Sequence, residues 1–197
     1  TIPAFVGLCV IATPISTLLY AIPDAGPCIA VMSLGVFFLG IQQVTTGVLQ
    51  GLGKTAIPFI NMVASAFIKI GLSWYLTAIP SLGVLGSAWA TNADFGIAAL
   101  LNLVCLYIIM EYKMDWIHTG KVFLSSAIMG SAVWFSYEGI LQVTHSNTLS
   151  SLLSIVLGGI VFLVAVLITK TVTAQDVREM PKVGNQLANI IEKLTWK

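Results

Sequence analysis

The chain predicts an all-α, polytopic membrane protein with six transmembrane helices. Six hydrophobic stretches, each close to the roughly 20 apolar residues that cross a bilayer, run Ile2 to Ile22, Pro27 to Gln50, Ala56 to Ile79, Val84 to Met110, Lys121 to Gln142 and Leu149 to Thr169. Charged residues make up 9% of the 197, against about 25% in a soluble domain. With 57% hydrophobic residues and a mean hydropathy of +0.96, little of the surface suits water. The runs also lack the in/out alternation of barrel strands, and helices are then the remaining way to satisfy the backbone in lipid.

Span one carries Pro14 at its middle, flanked by Thr13, Ser16 and Thr17. Proline removes a helical hydrogen bond, so a kink is expected there, with the hydroxyls serving the freed carbonyls. Pro23-Asp24-Ala25-Gly26-Pro27 ends it. In span two, Gln43, Thr46, Gly47 and Gln50 fall within an arc of about 100° at helical pitch. Gly47 and Gly51 form a GxxxG, which predicts close approach of spans two and three. Gly51-Leu52-Gly53-Lys54 is the turn. Span three opens on Pro58, an ordinary first-turn position, and then places Asn61, Ser65, Lys69 and Ser73 at every fourth residue. After Pro80-Ser81-Leu82-Gly83, span four keeps nearly the same period with Ser87, Thr91, Asp94, Ala98 and Asn102. Span five ends near Glu138, and His145-Ser146-Asn147 leads into span six. Connections this short predict consecutive helices that are antiparallel and adjacent.

Polar groups are expensive in lipid, so the three faces are expected to converge on one another or on a water-filled cavity. For a single Ser, Thr or Asn, interhelical hydrogen bonding is the plainer explanation. Lys69 and Asp94 ask for more. Lys69 lies 13 residues past Ala56 and Asp94 10 residues past Val84, about 20 and 15 Å along their helices. Both are near mid-depth in a core of about 30 Å. An ion pair between neighbouring helices is the arrangement that avoids an uncompensated charge. It is either a static lock or a charge exposed to substrate or coupling ion in one state.

The cations fix an expected orientation. Lys54, Lys113, Lys121, Lys170, Arg178, Lys182, Lys193 and Lys197 border one side of the membrane, and the opposite loops carry none. The positive-inside rule places that side, with both ends of the chain, in the cytoplasm. Past span six, Thr173-Ala174-Gln175-Asp176 reads as a capping box, and Val183, Leu187, Ile190, Ile191 and Leu194 form an apolar stripe. That pattern predicts a short amphipathic helix on the membrane surface or docked on the inner loops.

Other classes find little support. The net charge is +1, so nucleic-acid binding has no electrostatic basis. No phosphate loop, HExxH or GxSxG is present, and His118 and His145 fall on opposite sides of the membrane, so neither enzymatic chemistry nor a cofactor is expected. Cys9, Cys28 and Cys105 lack the spacing of a disulfide framework or a metal site and read as small packing residues. The chain opens on Thr1 and enters a span at once, which suggests part of a longer transporter.

Val44-Thr45-Thr46-Gly47-Val48-Leu49-Gln50-Gly51-Leu52-Gly53-Lys54-Thr55-Ala56-Ile57-Pro58, then Lys69-Ile70, then Leu82-Gly83-Val84-Leu85-Gly86-Ser87-Ala88-Trp89-Ala90-Thr91, and the tail DVREMPKVGNQL together resemble the stage V sporulation protein B and polysaccharide biosynthesis protein family. That family belongs to the multidrug/oligosaccharidyl-lipid/polysaccharide exporter superfamily, with lipid II flippases as relatives. The resemblance implies two six-helix lobes plus two appended helices, of which this chain supplies the last six. Residues 1–111 would then complete the second lobe, 112–170 would be the appended pair, and 171–197 a cytoplasmic tail. Asp94 departs from the apolar or hydroxyl residues of that helix in the family.

The implied function is movement of an undecaprenyl-pyrophosphate-linked sugar across the bacterial cytoplasmic membrane by alternating access. Membrane lipids and the missing first lobe would be its partners. On this likeness Lys69 meets the pyrophosphate or a coupling anion, and Asp94, Gln43, Thr46, Gln50, Asn61, Ser65, Ser73, Ser87, Thr91 and Asn102 line the pathway. A drug/cation antiporter of the same superfamily and a non-transporting membrane scaffold are the alternatives.

Overall fold

The structure, a computed structural model, describes residues 1–110 and 116–169, all-helical over these ranges. The tail stripe and its capping box lie outside the described residues. The chain divides into two units, Thr1–Met114 and Asp115–Lys197.

In the first unit, the expected single span from Ile2 to Ile22 is instead two nine-residue helices, α1 (Ile2–Val10) and α2 (Ala12–Tyr20), bent by 74°. The break falls at Ile11, φ −111° and ψ 29°. That is one turn ahead of Pro14, because a proline ring excludes the carbonyl four residues before it, here that of Val10. Ser16 and Thr17 both donate to the Thr13 carbonyl, at 2.9 and 3.0 Å, so they brace the helix beyond the break and do not bridge it. A short 3-10 turn, Pro23–Ala25, leads into α3 (Gly26–Gly51), followed by α4 (Ala56–Thr77) and α5 (Val84–Met110).

α5 is the centre of this unit and packs along both α3 and α4. Its buried Gly86, Ala88, Ala90, Ala98 and Ala99 admit a neighbour on either side, as small residues do in membrane bundles. α3 runs parallel to α5, with Val31 beside Asn92, Phe38 beside Gly96 and Thr46 beside Asn102. α4 runs antiparallel to it: Asn61 meets Asn102, Lys69 meets Asp94, and Gly86 abuts the Leu76 carbonyl. The expectation that α3 and α4 pack together through Gly47 and Gly51 is not met. Those two helices barely touch, and among the described residues nothing beyond the local helix lies within 4 Å of a Cβ built at either glycine. Being consecutive made them antiparallel, but the small-residue surface they share is that of α5.

The turn motifs have plain mechanical readings. α3 ends in a Schellman arrangement: Gly53 is left-handed at φ +75°, its N–H donates to Gln50 and that of Lys54 to Leu49, both at 2.9 Å. At the start of α5, a Cβ on Gly86 would sit 2.6 Å from the Leu76 carbonyl.

The second unit is a hairpin of α6 (Trp116–Thr144) and α7 (Asn147–Ile168), turned at a left-handed His145 with φ 50°. Ser125, Ser126, Ser150, Ser151 and Ser154 are fully buried. Gly158 lies against Val133, Tyr137 donates to Asn147 at 2.9 Å, and the hydroxyls of Ser125 and Thr169 are 3.3 Å apart.

Among the described residues, four helical segments, Pro23–Gly51, Ala56–Thr77, Val84–Met110 and Asn147–Ile168, are long and apolar enough to cross a membrane, and the bent α1–α2 pair makes a fifth if counted as one span. α6 has the length, at 29 residues, but its serines and Glu138 dilute its apolar character.

Candidate functional site: a polar seam along the central helix

The seam begins with Asn102, 1% exposed, where α5 is flanked by both neighbours. Its Oδ1 accepts from Asn61 Nδ2 at 2.9 Å, and its Nδ2 donates to Thr46 Oγ1 at 3.0 Å. One amide thus ties three helices through two bonds of opposite sense. Cys105, one turn on, lies with its Sγ 3.8 Å from the same Asn61 Nδ2.

About two turns toward the start of α5 stands the charged pair. Lys69 Nζ is 3.5 Å from Asp94 Oδ2, with the lysine side chain 38% and the aspartate side chain 15% exposed. The other carboxylate oxygen, Oδ1, lies 2.6 Å from Ser65 Oγ. Ser65 is buried completely, and its Oγ is also 3.0 Å from the Met62 carbonyl. Its single proton serves the carboxylate, the shorter and charged contact. The pair sums to zero charge and is pinned at the acid end.

Six of the candidates thus fall into two contact groups about two turns apart on α5, Thr46, Asn61 and Asn102 in one and Ser65, Lys69 and Asp94 in the other. The other candidates bond to neither group among the described residues. Gln43 and Gln50 are exposed on α3, outside this network. Thr91 bonds the Ser87 carbonyl of its own helix at 3.0 Å, and Ser73 and Ser87 are half-buried.

Asn92 was not singled out by the sequence pattern. It is 3% exposed, and its Nδ2 donates to the Val31 carbonyl at 2.7 Å. Its Oδ1 has no hydrogen-bond partner among the described residues and occupies the space that a Cβ on Gly35 would need, 2.6 Å away. A single-face reading of span four discards Asn92, which points about 200° from Asp94; a helix buried on two sides needs two such faces. The adjacent pair Thr91-Asn92 was the available signal.

An apolar cavity of about 530 Å³ also lies along α3 and α5, lined by Gly40, Ile41, Val44, Thr45, Leu103 and Leu106 among others. The Thr45 hydroxyl donates within its own helix, toward the carbonyls of Ile41 and Gln42 at 2.8 and 3.0 Å, so it offers a head group no free donor. Among the described residues no three His, Cys, Asp or Glu side chains come together as a metal site. The seam is built of amides and hydroxyls that bond one another across the helices, with one lysine matched by an aspartate.

No protein-family profile matches the chain, and no solved structure does. The chain is similar to an uncharacterized membrane protein, YabM, of Bacillus subtilis (strain 168), at 26% identity over 200 residues, covering 96% of this chain and 36% of the relative. The chain thus spans about a third of the length of the relative it matches.

Proposed function

We propose that the chain is the C-terminal portion of a bacterial lipid-linked oligosaccharide flippase, with six membrane crossings, α6 included, and both ends cytoplasmic. The observation that carries this reading is the Asn102-centred seam with the Lys69–Asp94 pair about 20 Å along α4 from its start. Ionisable groups at such depth mark substrate or ion paths by default, and transporters built from repeats bind near mid-membrane. The motif resemblance supports the flippase reading, and the similarity to a longer membrane protein supports the reading as a portion of such a protein. α6 crosses in company with α7, its buried serines shielded from lipid by the partner helix.

A scaffold role is favoured by one observation: Thr46, Asn61, Asn102, Ser65, Lys69 and Asp94 all find partners within the chain, as interhelical locks do. Transport of a fluorescent polyprenyl-linked sugar separates the two. In the full-length protein, Lys69→Ala impairs flipping more than Lys69→Arg; wild-type activity in both variants removes Lys69 from the mechanism. The 197-residue chain alone in liposomes flips no more than protein-free vesicles, because rocking-bundle transport needs two bundles, and co-expression with its missing upstream part restores activity. Robust flipping by the chain alone would overturn the two-lobe reading.

A further inference from the structure

We infer that Asp94 is an internal counter-ion that competes with an incoming diphosphate for Lys69, and so sets how weakly the seam holds an anionic head group. The inference rests on the transport reading above. The observation behind it is that the two members of the pair are held unequally. Asp94 is the fixed member: its side chain is 15% exposed, and Oδ1 is anchored by the fully buried Ser65 at 2.6 Å. Lys69 is the loose one. Its side chain is 38% exposed and its Nζ stands 3.5 Å from Oδ2, beyond the roughly 2.7–2.9 Å of a tight charge-assisted hydrogen bond. Lysine carries its charge on a flexible four-carbon stem with three donors, so the ammonium can leave a carboxylate that stays where it is.

Charge decides the consequence. A diphosphate reaching Lys69 meets one positive charge with a stationary negative charge beside it. The attraction is therefore offset by like-charge repulsion that a lone lysine would not impose, which is how an interface rejects a ligand it must not hold tightly. For a carrier that has to let its cargo go, a lysine already matched by an acid is suited to brief contact. The same acid keeps Lys69 compensated when no anion is present, avoiding the cost of a single charge at depth.

The test uses the whole chain in lipid nanodiscs, titrated in one arm with inorganic pyrophosphate and in the other with a fluorescent polyprenyl diphosphate. Asp94→Asn keeps the size of the side chain and an oxygen for Ser65 while removing the charge. It is expected to bind diphosphate up to about fivefold more tightly than the native chain, the upper end for a partly solvated ion pair. Adding Lys69→Ala to Asp94→Asn abolishes that gain. Circular dichroism checks folding, and if Asp94→Asn does not fold, Asp94→Thr serves the same comparison. Unchanged or weaker binding in the uncharged variant, binding that survives Lys69→Ala, or no binding in any form overturns the inference. A gain confined to free pyrophosphate upholds the counter-ion and takes down only the lipid-linked reading, whereas a gain with the polyprenyl diphosphate supports both. Flipping that is normal in the full-length protein, with no change of affinity in Asp94→Asn, leaves transport standing and removes the counter-ion.

Discussion

Asn61 donates its amide to the side-chain oxygen of Asn102 across 2.9 Å, joining α4 to the central helix at a residue that also reaches α3 through Thr46. Asn102→Ala strands two buried or half-buried polar groups at once. It is expected to cost about 1–3 kcal/mol, the penalty for unmade hydrogen bonds. Asn61→Ala removes one bond and costs less. A double-mutant cycle on the pair, read by unfolding in mixed micelles, is expected to give a coupling of about 0.6 kcal/mol and no more than about 1.7, the average and the maximum measured for interhelical bonds in a membrane protein. A coupling indistinguishable from zero would mean that the two amides do not bond.

Glycine positions divide sharply by what surrounds them. At Gly86 a Cβ would meet backbone atoms of Leu76 and Thr77 at 2.6–2.8 Å, and backbone cannot swing aside. Gly86→Ala is therefore expected to destabilise by about 1–3 kcal/mol. Gly47→Ala, with nothing beyond its local helix within 4 Å among the described residues, is expected to be neutral or to gain up to about 1 kcal/mol of helix propensity. Thermal unfolding of the two variants side by side checks the order.

Gly35→Ala is an intermediate case, because the obstructing atom is the side-chain Oδ1 of Asn92. Combining it with Asn92→Ala removes the clash. The double variant is expected to be less destabilised than the sum of the singles, since residues in contact are not additive. Strict additivity would show that the amide does not fill that space.

Pro14→Ala restores an N–H for the Val10 carbonyl and removes the ring that excludes it. The 74° bend is then expected to open toward a continuous helix. Spin labels at Ala4 and Tyr20 would move from roughly 19 Å apart to roughly 24 Å, taking 1.5 Å per residue. An unchanged distance would assign the bend to packing of α1 and α2 on α3.

For topology, single cysteines at Thr55 and Thr148, placed after replacing Cys9, Cys28 and Cys105, are expected to label from opposite sides. An impermeant reagent outside intact cells reaches position 148 and spares position 55, following the cation distribution. The reverse pattern would invert the orientation and the leaflet that supplies substrate.

Much of this was legible from residue order. Long apolar runs dictate helices because lipid leaves the backbone no other partner, and the breaks fell where glycine and proline said they would: Gly53 at φ +75° and Gly83 at φ 47° take conformations that side chains resist. The pairing of Lys69 with Asp94 followed from depth and the cost of a lone charge, both of which can be reckoned along a single helix. The kink in span one was legible from Pro14, and it falls one turn earlier because a proline acts on the carbonyl four residues before it.

Which helix neighbours which could not be reckoned that way. The Gly47–Gly51 motif offered a surface for close packing, yet α4 went to α5, whose small residues serve two neighbours while those of α3 at this point serve none. That choice also separated the polar residues, gathering Thr46, Asn61 and Asn102, leaving Gln43 and Gln50 outside, and giving Asn92 a role on the far face. Periodicity assigns residues to faces, but only the competition among faces for a close-packed partner decides which of them meet.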